Sequence, residues 1–253
     1  MNRHEKALGI FLDMGRIMME NGSDVHRIEQ TLIHLGKSYG AEHMDVLAIT
    51  SSIIATMKIS DEESYTHTRR ITTSPSTNFR RLENINALSR KFCQQQMSLD
   101  DLENQLKSIK AESVSQLKVL TGELCAAASF TIFFGGTIQD SVAAALLALF
   151  IWGMQKYLSK ICSNIVFFNF FCSFLTGILT LFICHVFSNQ LHIDKIIIGD
   201  IMILIPGLAM CNAIKDIFVG DTITGIMRFA ETVLWAGALA FGFAIPVMIG
   251  NWF

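Results

Sequence analysis

From Val119 onward the chain is a succession of apolar stretches, each roughly 18 to 25 residues long, the length a helix needs to cross a bilayer core of about 30 Å. Their spacing predicts five spans, at about 119–136, 138–155, 165–187, 196–219 and 226–249. Fifteen of the 20 Lys and Arg lie before residue 119, so a polar front region shares the chain with an apolar back region. The 51% hydrophobic content and the net charge of −2 average these unlike regions and say little about partners. No basic tract argues for nucleic acid.

The front region reads as a small α/β domain over residues 1–118. Leu8, Phe11, Leu12 and Met19 stand near helical spacing over 4–20, Asn21-Gly22 supplies a stop, and Ser23 or Asp24 caps the next helix. There, Val25, Ile28, Leu32, Leu35 and Tyr39 form one apolar stripe that ends at Gly40. The runs "HMDVLAI", "SIIATMKI" and "SYTHTRRI" predict three strands, the last two joined at "SDEE" as a hairpin. After the loop "TTSPST", Asn78 caps a helix to about Gln96, and Ser98 with Asp101 forms a capping box before Leu99, Leu102, Leu106 and Ile109.

No G-x-S-x-G elbow, HExxH or Gly-rich phosphate loop is present, so neither an enzyme nor a cofactor is expected. The six cysteines lack paired spacing, and five fall in or beside apolar stretches, where a thiol behaves as a small hydrophobe. His26 and His34 lie eight apart, wider than a helical metal pair, so no metal is expected. Arg69-Arg70 and Arg80-Arg81 read as solvated faces whose best functional use is contact with anionic lipid headgroups or an acidic partner.

Glu5, Asp13 and Glu20 interrupt the first residues, which therefore do not read as a cleaved signal peptide. The basic front region and Lys156 with Lys160 place the amino terminus in the cytoplasm and the carboxyl terminus outside. An odd span count forces a duplicated copy into the opposite orientation, as in inverted-repeat transporters. The strong charge bias opposes dual insertion of one chain, so the other half is expected from a second, small membrane protein. Ala236, Ala240 and Ala244 form one small-residue ridge and Gly122 with Ala126 another, read first as packing within the chain.

The functional signal lies in "LIPGLAMCNAIKDIFVGDTITGIMR", residues 204–228. Pro206 with Gly207 should break the fourth span, and freed backbone groups at membrane depth are tolerated only against protein or a watery cavity. The half-helix from near Leu208 would present N–H groups suited to a carboxylate. Asn212 and Asp216 share its face, giving a substrate pathway of Pro206, Gly207, Asn212 and Asp216. Asp216 is either a proton or gate group or the partner of Arg228 across the turn, with Lys215, Asp221 and Glu231 as further gate or ion-pair residues. An ionisable group at the centre of a span costs roughly 2.5 to 3.5 kcal/mol on insertion scales, which makes such groups functional candidates. Glu231 is expected to pair with Arg228, and Glu123 to be interfacial. Asp140 either caps the second span or lines an outer vestibule, and Asp200 is either interfacial or in the pathway.

Three stretches resemble the threonine/serine exporter (ThrE-type) family in its shorter, split form: "MGRIMMENGSDVHRIEQTL", "GGTIQDSVAA" and the Pro-Gly segment, with Ser23 where a small alanine is common. The last aligns Pro206, Gly207, Asn212, Asp216, Gly220, Asp221, Gly225 and Arg228 with the family's pattern. The resemblance implies an α-helical bacterial inner-membrane exporter of about five transmembrane helices preceded by a small cytoplasmic α/β domain. It also implies a separate membrane protein supplying the remaining spans, and threonine, serine, succinate or related dicarboxylates as substrates. The split form favours the dicarboxylate, and assembly of several copies stays open. The competing reading is a membrane-anchored enzyme or regulator acting through residues 1–118.

Overall fold

A computed structural model describes residues 2–72, 77–95, 97–112, 114–158, 162, 164–187 and 191–250. The chain divides into two compact units, Met1–Ser113 with Leu208–Phe229, and Val114–Gly207 with Ala230–Phe253. The polar front region thus gains a segment from the far end of the chain that hydropathy groups with the membrane half. Most of the loop expected at 72–77, the helix end near Gln96 and the basic connection at Lys160 lie outside the described residues.

In the first unit, α1 (Arg3–Glu20) and α2 (Val25–Tyr39) are followed by β1 (His43–Ile49), β2 (Ser52–Ser60), β3 (Glu63–Arg70), α3 (Phe79–Gln94) and α4 (Leu99–Ala111). The sheet is an antiparallel meander in the order β1-β2-β3, so both connections are hairpins. Helix α1, for which spacing marked only Leu8, Phe11, Leu12 and Met19, is buried nearly all round, because it contacts α2, β2 and β3 as well as α3 and α4. Ala7, Leu8, Phe11, Met14 and Met18 have no exposed surface, and Phe11 meets Tyr39 and Phe92 edge-on. The predicted punctuation holds. Asp24 accepts the Arg27 amide at 2.9 Å, Asn78 that of Arg81 at 3.0 Å and Ser98 that of Asp101 at 3.1 Å. Gly22 and Gly40 sit at φ 90° and 105°, which side-chain-bearing residues seldom adopt.

Two of the four arginines read as solvated are structural. Arg69 holds Asp13 of α1 through two 3.0 Å bonds, and Arg81 donates to Glu112 O at 2.5 Å and Lys110 O at 3.3 Å, satisfying carbonyls at the end of α4. To the same unit belong α9 (Gly207–Val219), apart from its first residue, and the start of α10 (Thr222–Gly250). These two helices are joined at Gly220, at φ 109°.

The second unit contains α5 (Gln116–Phe133), α6 (Ile138–Tyr157), α7 (Ile165–Val186), α8 (Ile193–Leu204) and α10 from Ala230. Among the described residues α6, α7 and α10 are long and apolar enough to cross a membrane, and α8 with α9 passes only as a broken pair, giving three or four spans. The first expected span, 119–136, falls on α5, which is not among them because Gln116, Lys118 and Glu123 dilute its 18 residues. Packing depends on small residues. A Cβ on Gly242 would stand 2.6 Å from Phe170 O, and one on Gly177 3.0 Å from Pro246, so α7 and α10 touch through glycine. The alanine ridge is not that seam, since Ala240, Ala244 and Gly122 are exposed and Ala236 and Ala126 only half-buried.

Candidate functional site

Helix α8 stops at Leu204 because Ile205 is extended at φ −66°, ψ 132°, as a residue before proline prefers, and Pro206 brings no N–H. Gly207 N–H turns back to Ile205 O at 2.9 Å, and α9 starts there, within one residue of the expected half-helix.

Along α9 the polar residues recur on one side: Asn212, Lys215 and Asp216. All three, with Arg228 on α10, engage the turn between α1 and α2. Asn212 Nδ2 donates to Gly22 O at 3.0 Å, and Lys215 Nζ to Asp24 Oδ2 at 2.8 Å. Asp216 is 1% exposed; its Oδ2 accepts from Arg228 Nη1 at 2.8 Å and its Oδ1 from Val25 N–H at 3.4 Å. Arg228 also reaches Ser23 O through both terminal nitrogens at 3.4 Å, and Met19 Sδ through Nη2. One buried carboxylate and one guanidinium thereby cover the turn, and a buried ion pair of this kind is strong only when its other bonds are satisfied, as here.

The hairpin that presents these groups is close-fitting. A Cβ on Gly225 would lie 2.8 Å from Ile217 N and 2.9 Å from Ala213 O, and Asp221 N–H bonds Asp216 O at 2.9 Å. Burial pushes the Asp24 carboxyl up, but the Lys215 bond and the Arg27 amide outweigh it and hold the group below its usual range. Glu29 is raised, first by burial and then by the charge of Asp221, against the pull of its 2.8 Å bond from Ala48 N–H.

Asp216 forms the ion pair with Arg228 that the turn spacing suggested. Arg228 takes Asp216 as its carboxylate and not Glu231, which is exposed. The i to i+3 spacing suggested Glu231, but the Arg228 guanidinium turns to the buried carboxylate and the turn carbonyl instead. Asp221 keeps one buried oxygen without a partner among the described residues. Pro206 and Gly207 form the break. Asp140 caps α6, bonding Thr137 N–H at 2.7 Å and Thr137 Oγ1 at 2.8 Å, and also accepts His192 N–H at 2.7 Å, so it fastens the start of α8. Asp200 is fully buried in the second unit.

Periodicity did not link the α1–α2 turn to α9. The available signal was chemical: both stretches crowd polar residues beside apolar helices, and each needs partners it cannot find locally.

A family model described as "Putative threonine/serine exporter" matches residues 9–250. The chain is 21% identical over 258 residues to the threonine/serine exporter of Corynebacterium glutamicum, covering 98% of this chain and 53% of that protein. It thus spans about half the length of the curated relative it matches. No solved structure matches it. The match takes in the α1–α2 turn, the Asp140 cap and the α9–α10 clasp, and with the long apolar helices it makes the chain a membrane protein that belongs to the threonine/serine exporter family.

Proposed function

We propose that this chain is one subunit of a secondary exporter for small carboxylate metabolites in the bacterial inner membrane, its amino terminus cytoplasmic and its carboxyl terminus outside. The observation that carries the reading is the coincidence of an exporter-family match over 9–250 with an apolar helix pair broken at Pro206. In this reading α5, α6, α7, the α8–α9 pair and α10 make five crossings. The odd number calls for a second small membrane protein, and the exposed Ala240 and Ala244 support an outward seam for its helices. The start of α9 offers amides suited to a carboxylate, which succinate and related dicarboxylates share with threonine and serine. The resemblance to the split form favours the dicarboxylates. The Asp216–Arg228 clasp is the gate: opening it frees the α9–α10 hairpin from the α1–α2 turn, and a proton gradient energises the cycle.

The test is efflux of preloaded labelled succinate, serine and threonine from cells lacking their own exporters and producing this chain with its membrane partner. Asp216→Asn is compared at equal membrane abundance. Efflux from the intact pair, with loss in the variant, is the expected outcome; an intact pair that moves none of the three overturns the reading.

A further inference from the structure

Asp200 lies on α8 with its side chain fully buried and neither oxygen bonded among the described residues. Helix α8 packs on α5, α6 and α7 within the second unit. The α5 contact is close: a Cβ on Gly199 would stand 2.9 Å from Ala127 O and would overlap Thr131 Oγ1, while one on Gly136 would stand 3.3 Å from Lys195 Cβ. These pairs run antiparallel, so Glu123, one turn before Ala127, comes level with the part of α8 that follows Gly199. Glu123 is half-buried, and its Oε2 is also enclosed without a partner among the described residues. Both carboxyls lie within electrostatic reach of the buried Cys172 thiol on α7.

Thr131, beside Gly199, and other hydroxyls of the second unit bond back to helix carbonyls. Thr131 donates to Ala127 O at 2.8 Å, Thr176 to Cys172 O at 2.7 Å, Ser173 to Asn169 O at 2.7 Å and Ser141 to Ala128 O at 3.1 Å. The acid of α6, Asp140, is bonded to Thr137 and His192. The titratable groups placed nearest Asp200 are Glu123 and Cys172, and among the described residues no cation is paired with it. A carboxylate so enclosed cannot stay charged alone. Asp216 differs: Arg228 Nη1 stands 2.8 Å from its Oδ2.

We propose that Asp200 is the proton-carrying residue of this protein, loading and releasing a proton within the membrane unit, with the half-buried Glu123 relaying it. Protonation converts the carboxylate to a neutral acid and deprotonation reverses it, with no other reactant. Among the described residues no three His, Cys, Asp or Glu gather as a metal site, and a lone carboxyl with no oxygen cage suits a proton better than a hydrated cation.

The inference rests on the exporter reading for its role in coupling, so two readouts separate them. In the purified full chain in lipid nanodiscs, infrared spectra at neutral pH should show a carboxylic C=O band that Asp200→Asn removes. A band unchanged by that substitution overturns the inference whether or not the protein transports. With the partner present, Asp200→Asn should cut pH-gradient-driven efflux by about tenfold or more while retaining substrate exchange, Asp200→Glu should restore part of it, and Glu123→Gln should slow it. Gradient-driven efflux that persists in Asp200→Asn, or exchange lost along with it at normal membrane abundance, overturns the assignment. Failure of the wild-type pair to transport anything overturns the exporter reading alone.

Discussion

At the residue scale the clasp concentrates the electrostatics of the first unit. Arg228 is 15% exposed at its side chain and Asp216 1%, so removing the guanidinium strands a buried carboxylate. Arg228→Met should cost about 3 to 5 kcal/mol, and Asp216→Asn less, because the amide stays neutral. The double variant should recover part of the loss, giving a coupling of about 1 to 3 kcal/mol in a thermal-unfolding cycle on the detergent-purified chain. A coupling near zero would mean that the pair adds nothing beyond its separate hydrogen bonds. Asp24 gives a pH-dependent counterpart. Its folded carboxyl lies below the unfolded value of about 3.9, so the unfolded chain binds more protons through that window and stability falls as the solution is acidified through the folded value. Above about pH 5 the contribution is fully present. Lys215→Met should flatten this acid-side loss in unfolding curves recorded between about pH 3 and 6.

At the element scale the α9–α10 hairpin depends on one glycine. Gly225→Ala would drive a methyl against the backbone of α9 and should destabilise the hairpin by about 1 to 3 kcal/mol, releasing its hold on the α1–α2 turn. Gly207 has open space around its Cβ position, so Gly207→Ala should leave the melting temperature within a few degrees of wild type. If the break at Pro206 must flex during transport, Gly207→Ala should nonetheless slow efflux, which separates a hinge from a packing role. The strands, caps and amphipathic helices of the front region were legible because each is set by neighbours a few residues away. Arg69 and Arg81 were misread because the carboxylate and carbonyls they bind belong to α1 and α4, at positions that spacing does not reveal.

For the whole molecule, the apolar surface sets the main requirement. Only 22% of the α10 window and 39% of each of the α6 and α7 windows is buried within the chain, so lipid or other helices must cover the remainder. The first unit is likewise incomplete without Leu208–Phe229. A fragment ending at residue 112 should therefore exchange its amides at 19–25 faster than the full chain does, by about tenfold or more, since the clasp that covers them is missing. Equal protection by hydrogen-exchange mass spectrometry would show that the turn is stable by itself.

The sequence alone determined the membrane character, the α/β character of the front region and the helix break at Pro206. Each follows from local physics: the length of apolar runs, the periodicity of side chains and the missing amide of proline. Tertiary structure decided which charges meet. It brought Asn212, Lys215, Asp216 and Arg228 to a turn some 190 residues earlier, gave Asp216 the partner that spacing had also offered to Glu231, and left Asp200 enclosed without one among the described residues. Burial and pairing depend on contacts far apart in the chain, and these follow from how whole elements pack.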